Sequence, residues 1–167
     1  TMHECRNKGF GAGVFRRESF TANQCRKEAG FGARELEVGG FNLKDIKASG
    51  GFTASDVRKE GFTVAEIKGV YSIGEIKDVY RIGEMRNAGF SLAQLKEAGF
   101  SCKQLKDEGG VTGKELYESK SFSTSELLQA FKKGRQFVKS DPSNKVGQVV
   151  FAEGKVGVIT DAPYSWL

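Results

Sequence analysis

The chain is predicted to be mostly α-helical: an α-solenoid of about thirteen short helix–turn repeats, followed by a small β-hairpin or partial β-barrel segment. Three observations predict the solenoid. A helix-capping pattern recurs every nine to eleven residues, an aromatic or apolar residue stands just before almost every cap, and glycine closes most of the units. Self-similarity at a fixed period is typical of repeat arrays, in which each unit buries its apolar face against neighbouring units.

The unit at residues 90–99 carries all of these signals. Ser91 is a predicted N-cap, and Gln94 three residues later completes a capping box. The aromatic residue before the cap and Leu95 after it have the spacing of a hydrophobic staple. Gly99 is predicted to end the helix in the left-handed conformation. A helix of about two turns is unstable alone, so we expect the units to pack on one another.

The pattern repeats through the chain with small changes. The predicted caps lie at Thr1, Gly11, Thr21, Gly32, Asn42, Thr53, Thr63, Ser72, Arg81, Ser91, Ser101, Thr112 and Ser123. The position four residues after each cap is always apolar, which predicts burial, and only Val14 interrupts the acidic or amide capping-box position. Two units shorten to nine residues and lose glycine from the turn, which predicts a tighter turn there. No strand is expected before residue 145.

Three segments are predicted from composition. Residues 1–135 form the short-helix solenoid, and residues 136–145 form a polar linker that contains proline. Residues 146–167 contain two runs rich in valine around a turn with glycine, which predicts a β-hairpin and an incomplete, small β-barrel-like segment.

Composition and cysteine usage narrow the class of protein. A charged fraction of 28 % and a hydrophobic fraction of 38 % are typical of a globular chain, and the net charge of +5 permits an acidic partner. No apolar run is long enough to predict a membrane span. Cys5 and Cys25 fall at predicted core positions, so we expect an intracellular, reducing compartment, either the cytoplasm or an organelle such as a chloroplast.

Patterns for catalysis and metal binding are weak. His3 is the only histidine, and it lies two residues from Cys5, on a different side of a helix. One histidine and three scattered cysteines do not supply the four close ligands of a zinc site. The glycine-rich stretch at residues 9–13 has no strand before it and no GK[ST] after it, which favours two adjacent helix ends. We therefore expect no enzyme, cofactor or metal.

One polar column is a candidate binding stripe. The position five residues after the cap is basic in ten of the thirteen units. These residues are Arg6, Arg16, Arg26, Lys47, Arg58, Lys68, Lys77, Arg86, Lys96 and Lys106. A row of cations could follow the phosphates of a nucleic acid. The favoured alternative is a solvated structural stripe, in which each cation complements the C-terminal end of its helix and covers apolar surface with its stem.

The consensus F-[ST]-x-x-[EQD]-[LIV]-[KR]-x-[AE]-G resembles the decapeptide short-helix repeats of algae, other protists, some bacteria and large viruses. The resemblance covers residues 1 to about 130 and implies a scaffold role. The stretch at residues 146–159, with Trp166, resembles the opening of a Src-homology-3-like or KOW-like β-barrel. Only about 22 residues of such a barrel are present, whereas these domains are near the lower size limit for independent folding. We expect the chain to continue or a partner to complete the sheet.

The predicted function is that of a non-enzymatic scaffold or linker that mediates protein–protein interactions in a larger assembly. The alternative is a solenoid that binds nucleic acid or another polyanion through the basic column. A third hypothesis is an accessory subunit of an assembly in a photosynthetic organelle. Other proteins are thus the expected partners, ahead of nucleic acid.

Two structural expectations follow from the repeat. The simplest coil has two units per turn, which places Cys5 and Cys25 one layer apart in the core and too far apart for a disulfide. A coil of about four units would place them on opposite sides. Leu95→Ala is expected to destabilise the fold by about 2–5 kcal/mol and Lys96→Ala by under about 0.5 kcal/mol.

Overall fold

Thirteen short helices occupy residues 1–131 in the computed structural model, which describes residues 1–131, 149–152 and 155–158. The helices are α1 (Met2–Asn7), α2 (Ala12–Arg17), α3 (Ala22–Ala29), α4 (Ala33–Val38), α5 (Leu43–Ala48), α6 (Ala54–Lys59), α7 (Val64–Ile67), α8 (Ile73–Ile76), α9 (Ile82–Asn87), α10 (Leu92–Glu97), α11 (Cys102–Asp107), α12 (Gly113–Glu118) and α13 (Thr124–Ala130). Residues 1–131 contain no strand, as predicted. None of the helices in the described ranges has the length and apolarity that crossing a membrane requires.

All thirteen predicted caps stand immediately before a helix. At α10 the Ser91 hydroxyl accepts the backbone N–H of Gln94 at 3.2 Å, and the Gln94 side chain accepts the N–H of Ser91 at 2.9 Å. This reciprocal bonding satisfies N–H groups that the helix itself leaves unpaired. A capping box therefore marks the start of most of these very short helices; α2, whose cap is Gly11, has none, and α5 has only the bond from Asp45 N–H to the Asn42 side chain.

The turn after α10 shows how one repeat leads into the next. Gly99 has a φ of +96°, the N–H of Gly99 bonds to the carbonyl of Lys96 at 2.8 Å, and the N–H of Phe100 bonds to that of Leu95 at 3.1 Å. These two bonds define a Schellman motif. The aromatic residue that precedes the cap of α11 thus also closes α10, so one side chain contributes to both helix ends.

The two nine-residue units have shorter helices and tighter turns. Both α7 and α8 contain four residues, and no residue of this stretch has the left-handed conformation found after most other helices of residues 1–131. Each turn closes instead through an N–H four residues beyond its acceptor, from Tyr71 to Ile67 and from Tyr80 to Ile76, both at 2.9 Å. The turn after α7 contains Gly69, but the left-handed glycine is missing from both turns, and its loss accompanies the shorter helices.

The chain divides into two compact units, Thr1–Tyr80 and Arg81–Leu167. In the first unit α1 packs on α3, α2 on α4, α3 on α5 and α6 on α8; in the second, α11 packs on α13. In each of these five pairs the helices are separated by one helix in the sequence, which is the arrangement that a coil of about two repeats per turn requires. The sequence neighbours α2 and α3, and α4 and α5, also pack on each other. Cys5 and Cys25 lie on the contacting helices α1 and α3, and both are free thiols. Cys25 is in the core as predicted, whereas Cys5, in the first repeat, is only half-buried.

The core forms at the position four residues after the cap. Ten of these side chains are completely buried: Cys25, Leu36, Ile46, Val57, Ile67, Ile76, Met85, Leu95, Leu105 and Leu116. Two large apolar side chains of residues 1–131 stand out because they are exposed, Phe10 at 46 % and Val38 at 78 %. The predicted repeat register is correct, because a shift by one residue would expose this whole column.

Two short strands follow the helices. β1 (Val149–Ala152) pairs with β2 (Lys155–Val158) in antiparallel register, with Val149 opposite Val158. The predicted linker at 136–145 and most of the barrel-like segment predicted at 146–167 lie outside the described residues. The partial barrel and the three predicted segment boundaries therefore stay predictions.

Candidate functional site

The predicted binding stripe is largely occupied by contacts within the chain. Seven of its ten cations donate to backbone carbonyls 21–25 residues further along. We call these seven residues the cation ladder: Arg6, Arg26, Lys47, Arg58, Arg86, Lys96 and Lys106. Lys68 is exposed, Lys77 is half-buried, and both interact with other groups of the chain.

Lys47 illustrates the geometry of the cation ladder. Its Nζ donates to the carbonyl of Val70 at 3.0 Å and lies 2.8 Å from Glu75 Oε2. The same ammonium lies 4.5 Å from the ring centroid of Tyr71. The carbonyl belongs to the turn after the second following helix, whereas the ring and the carboxylate belong to the third repeat. One cation therefore ties its repeat to the second and third repeats that follow.

The same register recurs along both compact units. The carbonyl acceptors are Ala29 for Arg6, Ser49 for Arg26, Val70 for Lys47, Val79 for Arg58, Gly109 for Arg86, Ser121 for Lys96 and Ala130 for Lys106. The ion pairs are Arg6–Glu35 at 2.9 Å, Lys47–Glu75 at 2.8 Å, Arg86–Glu115 at 2.7 Å and Lys96–Glu126 at 2.9 Å. The ladder is thus a repeating structural device.

The favourable electrostatics of the ladder come from two helix ends that meet at each turn. The carbonyls at a helix C-terminus carry partial negative charge, which a cation complements. The carboxylate of the next capping box lies beside the same cation. The hydrogen bond from Lys47 and bonds from Ser72 lower the pKa of Glu75 from 4.5 to about 2. Bonds from Ser123 and from Lys96 lower the pKa of Glu126 to about 2.

The repeat of α4 has an acidic residue in the basic column, and a nearby arginine supplies the cation instead. Glu37 occupies the position that a cation holds in most other repeats. Arg34, one turn earlier, lies 3.3 Å from Glu37 and 3.0 Å from Glu66, and its guanidinium lies 3.6 Å from the ring centroid of Phe62. Arg34 therefore supplies the missing cation to the third following repeat. Sequence reasoning missed it, although an acid in a basic column was a signal.

Glu60 provides a second contact that sequence reasoning missed. The N-cap of α4 is Gly32, which has no side chain to accept an N–H. Glu60, which follows α6, places its Oε2 2.7 Å from the backbone N of Arg34. A carboxylate from two repeats away thus caps this helix. A Cβ on Gly32 would lie 2.8 Å from Glu60, which accounts for glycine at this cap.

The basic column also contained a sequence signal for the ladder. It ends at Lys106, and the last two repeats have Tyr117 and Leu128 instead. No second repeat follows either of these two in the sequence, so a cation there would have no equivalent carbonyl acceptor. For four of the cations, the spacing to the capping acid 28–30 residues later carries the same information.

The described residues offer little reactive chemistry. They contain no group of three or more histidine, cysteine, aspartate or glutamate side chains placed to hold a metal ion. Burial raises the pKa of the Cys102 thiol to about 11 and also raises that of Cys25. Since the thiolate is the nucleophilic form, both sulfurs are held in their less reactive state.

The first 72 residues match a family model described as a decapeptide repeat region. The resemblance predicted from the consensus is thereby confirmed for this part of the chain. The decapeptide pattern of caps and buried residues continues through α13. No match supports the barrel-like resemblance of the C-terminal segment. No curated protein and no solved structure matches the chain.

Proposed function

We propose that this repeat protein is a non-enzymatic scaffold or linker that mediates protein–protein interactions in a larger assembly. The cation ladder is the observation that carries this proposal. Seven recurring cations tie their repeats to the repeats that follow, so contacts within the chain fix the arrangement of the exposed side chains. A scaffold needs such a surface, because a partner then binds without first ordering it.

The repeat type supports the same proposal. Repeat arrays stack small units into extended surfaces, and these surfaces commonly bind other proteins. In this chain the side chains outside the core and the ladder vary from repeat to repeat, so successive repeats present different surfaces. We also propose a reducing compartment, because Cys5, Cys25 and Cys102 are free thiols.

Purification of the native assembly tests the scaffold proposal. The full chain, carrying an affinity tag and expressed in its own source cell, is isolated in gentle buffer, cross-linked and resolved by size. We expect it to migrate with other proteins at fixed stoichiometry, with cross-links from exposed lysines to those proteins. Migration as a free monomer at every salt concentration would contradict the proposal.

The alternative, polyanion binding, has one supporting observation, the net charge of +5. A phosphate chain would have to compete with the carbonyls and carboxylates that already hold the ladder cations. A salt titration of binding to labelled RNA and DNA tests this alternative. Polyanion binding would be favoured over the scaffold by tight binding that falls steeply with salt. Such binding should also weaken in Lys47→Ala but not in Lys44→Ala.

A further inference from the structure

A surface cleft of about 650 Å³ lies in the first compact unit, between α2 and α4. Two residues that line it depart from their columns in the repeat. Val14 replaces the acid or amide of the capping box, and Val38 is the only large apolar residue at the position six after the cap. Both departures add apolar surface at the same place. Val38 is 78 % exposed, so this surface has no cover within the described chain.

Glycines bring the two helices together beneath these valines. A Cβ on Gly39 would lie 2.7 Å from Ala12 Cβ, and a Cβ on Gly13 would lie 3.3 Å from the Gly39 carbonyl oxygen. The backbones of α2 and of the turn after α4 therefore approach closely. The buried ring of Phe31 also lines the cleft. The floor of the cleft is accordingly closely packed and includes apolar side chains.

The rim of the cleft is positively charged. Arg16 and Arg17 both line it and are exposed, and neither makes an ion pair within the described residues. Arg16 belongs to the predicted basic column. It differs from the seven ladder cations because no carbonyl or carboxylate of the described residues accepts a hydrogen bond from it. The acidic residue of the lining, Glu35, is already paired, since both of its oxygens lie 2.9 Å from Arg6 Nη2. The unpaired charge at the cleft is therefore positive.

We propose that this cleft docks a short, extended segment of a partner protein in which an aliphatic side chain stands next to carboxylates. The aliphatic side chain packs against Val14 and Val38, and the carboxylates bind Arg16 and Arg17. A second copy of this chain is the less suitable occupant, because a symmetric contact would place these arginines against their own copies. The proposal rests on the scaffold function and names the chemistry of one partner.

Selection from a displayed library of random octapeptides, with the full chain as bait, tests the docking proposal. Enriched peptides are then synthesised with a fluorescent label and titrated by anisotropy. We expect enrichment of peptides that combine leucine, isoleucine or valine with aspartate or glutamate. Val38→Asp is expected to weaken their binding by about tenfold or more, and Arg17→Ala by about three- to tenfold. The substituted side chains are exposed, so both variants should fold.

Matched controls lie at the same repeat position on neighbouring helices. Ala48→Ser and Lys27→Ala change exposed residues outside the cleft lining and should leave binding unchanged. Enrichment of basic or purely apolar peptides, the absence of any enrichment, or binding that survives both cleft variants would overturn the proposal. Self-association that depends on Val38 would identify a second copy as the occupant and would also overturn it. A further outcome is that Val38→Asp binds the peptides as tightly as the unchanged chain does and still purifies with the same assembly. In that case the cleft proposal fails and the scaffold proposal stands.

Discussion

Gly11 and Gly32 are both N-caps without a side chain, but their surroundings differ. A Cβ on Gly11 would meet nothing within 4 Å, and the φ of −76° suits any residue. A Cβ on Gly32 would meet the Glu60 carboxylate that caps α4. Glycine in the same repeat position is thus replaceable without a contact at Gly11, whereas a side chain at Gly32 would displace the Glu60 carboxylate.

We therefore expect opposite effects from serine at these two caps. Gly11→Ser should raise the free energy of unfolding by about 0.5–1 kcal/mol, because the hydroxyl caps α2 and the unfolded chain loses freedom. Gly32→Ser should lower it, because the new side chain displaces Glu60. Urea unfolding of the two variants checks this prediction, and equal gains at both positions would contradict it.

Ser19 and Lys120 adopt the conformation that glycine adopts after most other helices of residues 1–131. Their φ values are +64° and +53°, and they are the two non-glycine residues of the described ranges with positive φ. The left-handed region costs a residue with a Cβ about 1–2 kcal/mol. These two turns therefore keep the repeat geometry at some cost in stability.

Replacement of Ser19 by glycine should stabilise the fold. We expect the free energy of unfolding to rise by about 0.5–1 kcal/mol, since the relief of strain exceeds the added freedom of the unfolded chain. Glu18→Gly is the control, because Glu18 has a φ of −83° and gains nothing from glycine. Thermal unfolding of both variants provides the measurement. A loss of stability in Ser19→Gly would show that the turn is not strained.

At the scale of one helix, α10 shows how neighbouring residues serve different contacts. Leu95 is fully buried in the core. Lys96, the next residue, donates to the Ser121 carbonyl at 2.7 Å, pairs with Glu126 at 2.9 Å and lies 5.0 Å from the Phe122 ring centroid. The expectation that Lys96 contributes almost nothing is therefore revised, because its partners lie in the third repeat and cannot be seen in the helix itself.

Lys96→Ala should lower the free energy of unfolding by about 1–2 kcal/mol, since it removes a charged hydrogen bond, a partly exposed ion pair and a cation–π contact. Leu95→Ala should cost more, about 2–5 kcal/mol. Lys103→Ala is the matched control: its side chain is 73 % exposed and pairs only within α11, with Asp107 at 3.4 Å, among the described residues. Equal, small effects of Lys96→Ala and Lys103→Ala would contradict a stabilising ladder.

Across the whole molecule, the carboxylates of the capping boxes make stability depend on pH, because bonds from the cap residues and from nearby cations favour their ionised form. The pKa values of Glu66, Glu75 and Glu126 are lowered from 4.5 to about 2. A group with a lowered folded-state pKa stabilises the fold above its unfolded pKa. That contribution is lost as the pH falls through the folded-state value.

We therefore expect the melting temperature to fall progressively as the pH is lowered from about 5 to about 2. Glu75→Gln should reduce the neutral-pH stability and flatten part of this dependence, because the variant lacks one of the titrating carboxylates. Glu118→Gln is the control, since Glu118 lies 59 % exposed and pairs weakly with Lys114 at 3.9 Å. Calorimetry at a series of pH values is the measurement. A melting temperature that stays constant between pH 5 and pH 2 would contradict the prediction.

The sequence by itself determined the repeats: every cap, the buried column and the tighter turns after α7 and α8. It could do so because the capping box and the Schellman turn join groups within about six residues of each other. Only the tertiary structure decided four features. These are the partners of the ladder cations, the cation that Arg34 supplies in place of Glu37, the cap that Glu60 supplies to α4 and the cleft beside Val38. These contacts join groups about 20–30 residues apart, and such separations become neighbours only after packing sets how many short helices complete one turn of the coil.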